Sequence, residues 1–375
     1  MGASEKKQSD MIQFNKIEEA IQDFKAGKLL IVVDDEDREN EGDFICAAET
    51  ITPEIVNFMA TAGKGLICAP ITEERADQLN LPLMVRSNTS LHETAFTVSV
   101  DLIGYGCTTG ISAYDRAQTL RSLADIKFTS ADFARPGHIF PLRAKSGGVL
   151  QRTGHTEAAV DLAKMAGMNP VAALVEILNE DGSMARLPQL IEKSKEWNIK
   201  IISISDLIEY RLRSERLIQA DERSQIRIAG DPYEIIQYSQ FNTTDKHIAL
   251  VKGTIDPSKA VPVRAQYCEG FSEIIEMLVL QEQAVLSKAL KFLQSQEFGV
   301  ILLISNEGKE KYPLNKITRT TPRPSRPEQD QREIGIGSQI LKDLGINKMK
   351  LLTNNPKRNV ALEAYGLEIT QYLSF

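Results

Sequence analysis

Several large protein classes are excluded by what this chain lacks. It has four cysteines, Cys46, Cys68, Cys107 and Cys268, with no CxxC or other close pair among them. That argues against a disulfide-stapled fold and against a local zinc motif, and it suits free thiols in a reducing cytoplasm. No apolar run is long enough to span a bilayer, and the opening MGASEKKQSDMIQF has no signal-peptide core. The expectation is a cytoplasmic protein with no membrane association. An excess of basic residues is also missing. The net charge of −7 disfavours a nucleic-acid binder, since phosphate backbones attract a basic face. No internal repeat relates the two halves. The length of 375 residues points to two domains of ordinary size.

The densest chemistry lies in DDEDRENEGD, Asp34 to Asp43, which holds seven carboxylates, one arginine, one asparagine and one glycine. It follows the β-branched run Leu29–Val33, a buried-strand pattern, and returns at once to apolar residues from Phe44. A solvated acidic turn and a divalent-metal site are both consistent with that pattern. Hard oxygen ligands on a loop pinned at both ends suit Mg²⁺ or Mn²⁺. Arg38, set among the acids, suits a phosphate or carboxylate partner.

Further along, Gly106–Ala113 is rich in glycine and hydroxyl side chains, readable as a ligand-contacting turn or as a tight turn before a helix at Asp115–Ala124. Arg135-Pro136-Gly137-His138 predicts a stiff loop that fixes a histidine, a candidate acid–base group. Arg152-Thr153-Gly154-His155-Thr156 precedes a helix over Ala158–Met165, so free N–H groups would face a phosphate there. Thr156 as a simple helix cap is the alternative. Glu176 interrupts the apolar strand Ala172–Leu178, where a lone carboxylate needs a partner, a metal or a proton. The polar join Arg211–Gln225 marks the domain boundary. Beyond it, strands are predicted at Glu234–Tyr238, His247–Lys252, Pro262–Tyr267, Gly299–Ile304 and Met349–Thr353. Helices are predicted at Ser272–Leu293, Ile336–Leu344 and Val360–Tyr365, and a loop at Thr320–Asp330.

On DEDRENEGD, RPGHIFPLRA, RTGHTEAAVDLAKMAG and EILNEDGSMAR, the first half resembles 3,4-dihydroxy-2-butanone 4-phosphate synthase, an enzyme of riboflavin biosynthesis. The resemblance implies a domain over 11–216 and a homodimer with active sites near the interface. It also implies conversion of D-ribulose 5-phosphate to 3,4-dihydroxy-2-butanone 4-phosphate and formate, with Mg²⁺ or Mn²⁺. By motif, Glu39 and His155 become the metal ligands. Arg38, Glu39, Asp43, Thr109, Gly154, His155 and Glu176 become substrate contacts, and Arg152, Thr153 and Thr156 hold the phosphate end. His138 and Glu176 match positions essential for catalysis, and Asp43 and Cys68 complete the catalytic set.

The second half, 226–375, is similar to GTP cyclohydrolase II through HIALVKG and IGIGSQILKDLGINKMKLLTNNPKRNVALEAYGLEI. The family binds catalytic zinc with three cysteines, of which only Cys268 is present, and SNEGKEKYPLNKI replaces its glycine- and arginine-rich segment. The expectation is a synthase with no zinc and a structural or regulatory second domain. A bifunctional enzyme and a docking module for other riboflavin-pathway enzymes are the alternatives. The implied fold is α/β in two domains, each a mixed sheet packed with helices.

Overall fold

The computed structural model describes residues 14–36, 38–90, 94–241, 245–268, 281–305, 327–354 and 366–374. The chain divides into two compact units, Met1–Leu207 and Ile208–Phe375. Both are α/β with a mixed sheet.

Among the described residues, the first unit holds seven strands: β1 (Leu30–Val33), β2 (Gly42–Ala47), β3 (Cys68–Thr72), β4 (Val100–Leu102), β5 (Phe133–Ala144), β6 (Ala172–Glu176) and β7 (Lys200–Ser203). Their order across the sheet is β4-β5-β3-β6-β2-β1-β7. All residues of β1 and β2 are buried. Helices cover both faces there, so these strands read as apolar runs rather than alternations. Helix α1 (Ile17–Lys25) buries Ile17, Ala20 and Phe24 at helical spacing. Helix α2 (Pro53–Phe58) begins as its sequence predicts: Thr52 accepts a hydrogen bond from the Ile55 N–H, and Pro53 occupies the first turn. The remaining helices of this unit are α3 (Glu73–Gln78), α4 (Ala113–Ala124), α5 (His155–Met165), α6 (Leu187–Trp197) and α7 (Ile204–Ser214), the last running across the division. Phe44 of β2 stacks at 5.5 Å on Phe58 and at 5.3 Å on Trp197 of α6. Each such pair contributes about 0.5–1.5 kcal/mol beyond its burial.

Strand polarity positions the site. β1 runs toward the edge where Asp34 follows it, and antiparallel β2 starts from that edge with Val33 opposite Gly42. β6 ends there with Glu176 opposite Asp43. β3 starts there, and β5 runs parallel to it with Cys68 opposite Phe140. This side of the sheet therefore collects the ends of β1, β2, β3 and β6, with β5 passing it in mid-strand.

Several local expectations change. His138 lies inside the twelve-residue β5, because Pro136 and Gly137 sit where β4 pairs irregularly and a missing N–H or Cβ is tolerated. Glu176 ends β6 half-buried, so it is not a carboxylate sunk in mid-strand. Helix α7 is capped by Ser203, which accepts from the Asp206 N–H at 3.0 Å.

In the second unit the polar join is not a loop. Ile218–Ile228 forms the edge strand β8, mostly exposed and paired along its length with β9 (Asp231–Gln240). An edge strand tolerates polar residues because one side of it faces water. With β10 (Lys246–Lys252), β11 (Ala260–Cys268), β12 (Gly299–Ser305), β13 (Lys348–Leu352) and β14 (Glu368–Leu373), the sheet order is β14-β13-β11-β12-β10-β9-β8. Helix α8 (Val285–Gln294) and helix α9 (Pro327–Asp343) complete the described elements. The start of α9 replaces the predicted loop at 327–330. The predicted helices over 272–280 and 360–365, and the loop over 320–326, lie outside the described residues.

Candidate active site

The acidic loop is organised by its first residue. Asp34 Oδ1 accepts from the Glu41 N–H at 2.8 Å, and Oδ2 accepts from the Glu39 N–H at 3.1 Å and from Arg38 Nη1 at 2.8 Å. A carboxylate engaged this way folds the chain back over itself. Arg38 also reaches Glu39 Oε2 at 2.9 Å, so its guanidinium lies along the loop's own acids. From outside, Arg186 donates to the carbonyl oxygens of Glu39 and Asn40, and Asn40 adopts a left-handed φ of 55°.

His155, the first residue of α5, is buried and brings its ring to this loop. Its Nε2 lies 3.1 Å from the carbonyl oxygen of Val32. A carbonyl only accepts, so Nε2 carries the hydrogen. Nδ1 then faces Glu39 Oε2 at 3.8 Å and Asp43 Oδ2 at 3.9 Å. Burial pushes the Asp43 carboxyl up to about 7; Glu176, Glu39 and Glu41 add to that, and His155 opposes it. Burial works against a charged His155, yet Asp43, Glu39 and Asp34 outweigh it and raise the imidazole to about 9. Asp43 Oδ1 is buried without a hydrogen-bond partner. Such an oxygen calls for a proton or a cation.

Asp34, Glu39 and His155 each offer one ligand atom within 4.8 Å of the other two. Two carboxylates and one imidazole, with the unsatisfied Asp43 oxygen alongside, fit a hard divalent ion such as Mg²⁺ or Mn²⁺. The oxygens of Asp34 accept three hydrogen bonds, and Glu39 Oε2 accepts one from Arg38.

Glu176 stands opposite Asp43 across the β2–β6 pair. Its Oε2 accepts from the Leu66 N–H at 2.8 Å. The backbone there is close enough that a Cβ on Gly65 would run into the Glu176 carboxylate. Cys68 is buried beside them, opposite Leu174. Burial, with Glu176 and Asp43 adding, holds its thiol well above the usual range. It therefore lines the site as a neutral thiol rather than a thiolate nucleophile.

At the start of α5, Gly154 is the N-cap and supplies no side chain, and Thr156 is buried within the first turn rather than capping it. Arg152 Nη1 lies 2.6 Å from Glu157 Oε2, and Glu157 Oε1 accepts from the Lys145 N–H at 3.0 Å. One turn on, Asp161 accepts from the Val149 N–H at 2.8 Å. These two buried acids hold the segment before α5 against the helix, so Arg152 and Thr153 stand at its positive end.

His138 lies in β5, two residues before Phe140, which pairs with Cys68 at the start of β3. Thr109 is exposed in the turn before α4 and does not join the Glu39–His155 cluster. Asp34, Asp101, Glu157 and Arg186 were not singled out by the sequence reading. Asp101 and Glu157 carry no local signal, whereas Arg186 closes the EILNEDGSMAR motif.

The second unit contains a cavity of about 530 Å³ whose lining includes Leu212, Arg216, Gln339 and Asp343. Its polar atoms are mutually engaged: Arg216 meets Asp343 at 3.0 Å, and Gln339 donates to the Leu212 and Glu215 carbonyls at 2.8 Å. It holds none of the acid–base groups described above.

Comparison with known proteins supplies the context. The family 3,4-dihydroxy-2-butanone 4-phosphate synthase matches residues 18–210, and GTP cyclohydrolase II matches residues 219–374. The riboflavin biosynthesis protein RibBA of Cytophaga hutchinsonii is 48% identical over 373 residues, covering 96% of this chain and 92% of that protein. RibBX, a two domain 3,4-dihydroxy-2-butanone 4-phosphate synthase from A. baumannii, superposes with a TM-score of 0.81 at 35% identity, covering 96% of this chain and 99% of the other. A 3,4-dihydroxy-2-butanone 4-phosphate synthase in complex with two magnesium ions matches with a TM-score of 0.52 at 44% identity, over 54% of this chain and 98% of that one.

Proposed function

Since the chain belongs to the family of two-domain riboflavin biosynthesis proteins, with a 3,4-dihydroxy-2-butanone 4-phosphate synthase domain before a GTP cyclohydrolase II domain, we propose that its first domain, over 11–216, turns D-ribulose 5-phosphate into 3,4-dihydroxy-2-butanone 4-phosphate and formate. It is an enzyme of riboflavin biosynthesis, of the lyase type. The observation that carries the specific reaction is the meeting of Glu39, Asp43, His155 and Glu176 at one sheet edge beside the start of α5.

The chemistry follows from the groups present. Arg152, Thr153, Gly154 and Thr156 bind the phosphate at the helix N-terminus, and remote binding of that dianion orients the reacting carbons. Arg38, Asp43, Glu176 and Thr109 contact the sugar. Asp43, whose carboxyl is raised to about 7, takes up and releases a proton near neutrality, as enolisation and dehydration beside a carbonyl require. Glu176 and His138 serve as further acid–base groups, and Cys68 packs against them. Glu39 and His155 hold Mg²⁺ or Mn²⁺, which supplies Lewis-acid polarisation of the substrate oxygens. A magnesium-bearing relative supports Mg²⁺.

The partner is a second copy of the chain. Leu83, Met84, Val85, Ile103, Tyr105 and Ile111 are exposed large apolar side chains in the first unit, which supports a homodimer with active sites near the interface. No helix among the described residues is long and apolar enough to cross a membrane, and we assign the enzyme to the cytoplasm. No nucleic-acid partner is proposed.

For the second domain, over 226–375, two readings stand. Matches over almost the full length to RibBA, and over 219–374 to GTP cyclohydrolase II, support a bifunctional enzyme better than an inert attachment. The cysteine inventory favours the other reading: Cys268 is the only cysteine after Cys107, and one thiolate does not make a three-cysteine zinc site. In that case the domain is structural, regulatory or a docking module, and pull-down of riboflavin-pathway enzymes with and without residues beyond 225 tests the last.

One pair of assays separates these outcomes. The full chain is incubated with ribulose 5-phosphate and Mg²⁺, then with GTP and Zn²⁺, and the organic product is identified each time. Absence of the butanone phosphate in the first defeats the synthase assignment. A pyrimidine product in the second establishes the bifunctional reading, and its absence leaves a single activity.

A further inference from the structure

Asp101 receives two hydrogen bonds from a single residue. The backbone N–H of His138 donates to Oδ1 at 2.8 Å, and ring Nδ1 of His138 lies 2.7 Å from Oδ2. The two residues come from neighbouring strands, β4 and β5, whose register is broken between Val100 and Asp101. The break matters because it turns the carboxylate onto His138 instead of leaving it in the ordinary alternation.

The surroundings hold Asp101 in that position. Gly110, at φ +89°, lies so close that an added Cβ would run into the Asp101 carboxylate. The turn that carries Gly110 is itself tied to α4. Asp115 Oδ2 accepts from the Thr108 N–H at 3.2 Å, from Thr108 Oγ1 at 3.0 Å and from the Gly110 N–H at 3.0 Å. On the other side, the Gly137 N–H donates to Ser99 Oγ at 3.1 Å, and a Cβ on Gly137 would meet the Val100 backbone. The Asp101 side chain is 13% exposed and that of His138 45%. The carboxylate is enclosed while the far edge of the imidazole is open.

A carboxylate accepts and a backbone N–H only donates, so Nδ1 must carry the hydrogen it shares with Oδ2. Nε2 is then left with its lone pair at the open edge. We propose that Asp101 is a positioning residue that fixes His138 as the Nδ1–H tautomer, so that Nε2 takes a proton from a carbon beside the substrate carbonyl. The N–H bond forms as the C–H bond breaks. The electron pair becomes the double bond of the enediolate, with its charge on the former carbonyl oxygen. Asp101 also stabilises the imidazolium produced, as the third member of an acid–base set does. This rests on the assignment of His138 to proton transfer made above.

The test is Asp101→Asn. The backbone N–H of His138 still needs an acceptor, so the amide oxygen takes that place and the NH₂ group faces Nδ1. The ring is then driven to the Nε2–H tautomer, which has no acceptor at its open edge. kcat is expected to fall by about 10²–10⁴-fold, with KM for ribulose 5-phosphate changed by less than about threefold. Imidazole ¹⁵N NMR, with His138→Gln to assign the signal, should show His138 move from Nδ1–H to Nε2–H. An unchanged tautomer overturns the proposal, whether kcat holds or falls with the melting temperature. So does a changed tautomer with kcat near wild type. If wild-type protein makes no product, the functional assignment fails while the NMR still decides what Asp101 does to His138.

Discussion

Arg186 donates to the carbonyl oxygen of Glu39 at 2.8 Å across 147 residues of sequence. It also donates to the Asn40 carbonyl, so one guanidinium at the entry to α6 ties down the turn that carries the metal-ligand candidate. Hydrogen bonds from a charged donor contribute about 1.5–3 kcal/mol each. Arg186→Ala should therefore weaken Mn²⁺ binding, read by electron paramagnetic resonance, by roughly tenfold or more. It should also speed amide exchange at Glu39 and Glu41. Glu39→Gln should remove the ion and the turnover with the fold intact. Unchanged Mn²⁺ affinity in both variants would take Glu39 out of the metal site.

Gly65 tests the position of Glu176. A side chain there meets both the carboxylate and the backbone oxygen of Glu176. Gly65→Ala should displace the carboxylate, with kcat reduced on the order of tenfold or more, since small displacements of a catalytic group are costly. The helices should stay folded by circular dichroism. Full activity would mean that Glu176 is not held where the reaction needs it.

The buried pair Asp43 and His155 sets a pH dependence with a definite sign. The Asp43 carboxyl is raised from 3.8 to about 7, so its favourable contribution to stability disappears as pH rises through that window. His155 is raised from 6.5 to about 9, and its contribution, present in full below 6.5, disappears as pH rises through 9. Metal-free protein should thus lose stability in its first unit from about pH 4 to about pH 9, first through Asp43 and then through His155. Mg²⁺, which replaces those protons, should stabilise more as pH rises. Trp197, the one tryptophan of the chain, packs on Phe44 and reports on this unit by fluorescence in urea. A midpoint independent of pH over that range, with and without Mg²⁺, would contradict the coupling.

In the second unit, His247 is expected to act in the opposite direction. It is buried, with Nδ1 accepting from the Ser305 N–H at 3.2 Å, and burial lowers its value from 6.5 to about 4. The unfolded chain takes up the proton first, so stability present above 6.5 should be lost as pH falls toward 4. His247→Gln should flatten the acid limb of unfolding followed by circular dichroism. An acid limb as steep as that of the wild type would assign it to other groups.

How much of this was legible in sequence depends on the range of the forces involved. Thr52 and Pro53 announced α2 because capping is a matter of three residues. The edge strand β8 was taken for a polar join because its exposed residues carry no apolar alternation, and pairing with β9 is what makes it a strand. His138 was placed in a loop because Pro136 and Gly137 are loop signals until a neighbouring strand is known.

By itself the sequence determined the buried strand before Asp34, the acidic turn, the helix start at Arg152–Thr156 and the family, all carried by adjacent residues. Tertiary structure decided which acid does what. Asp34 accepts the hydrogen bonds that close the loop, Asp43 keeps one buried oxygen without a hydrogen-bond partner beside His155, and Asp101 grips His138. Burial and distance set those roles. Both arise only when strands far apart in sequence lie side by side, about 5 Å from one another.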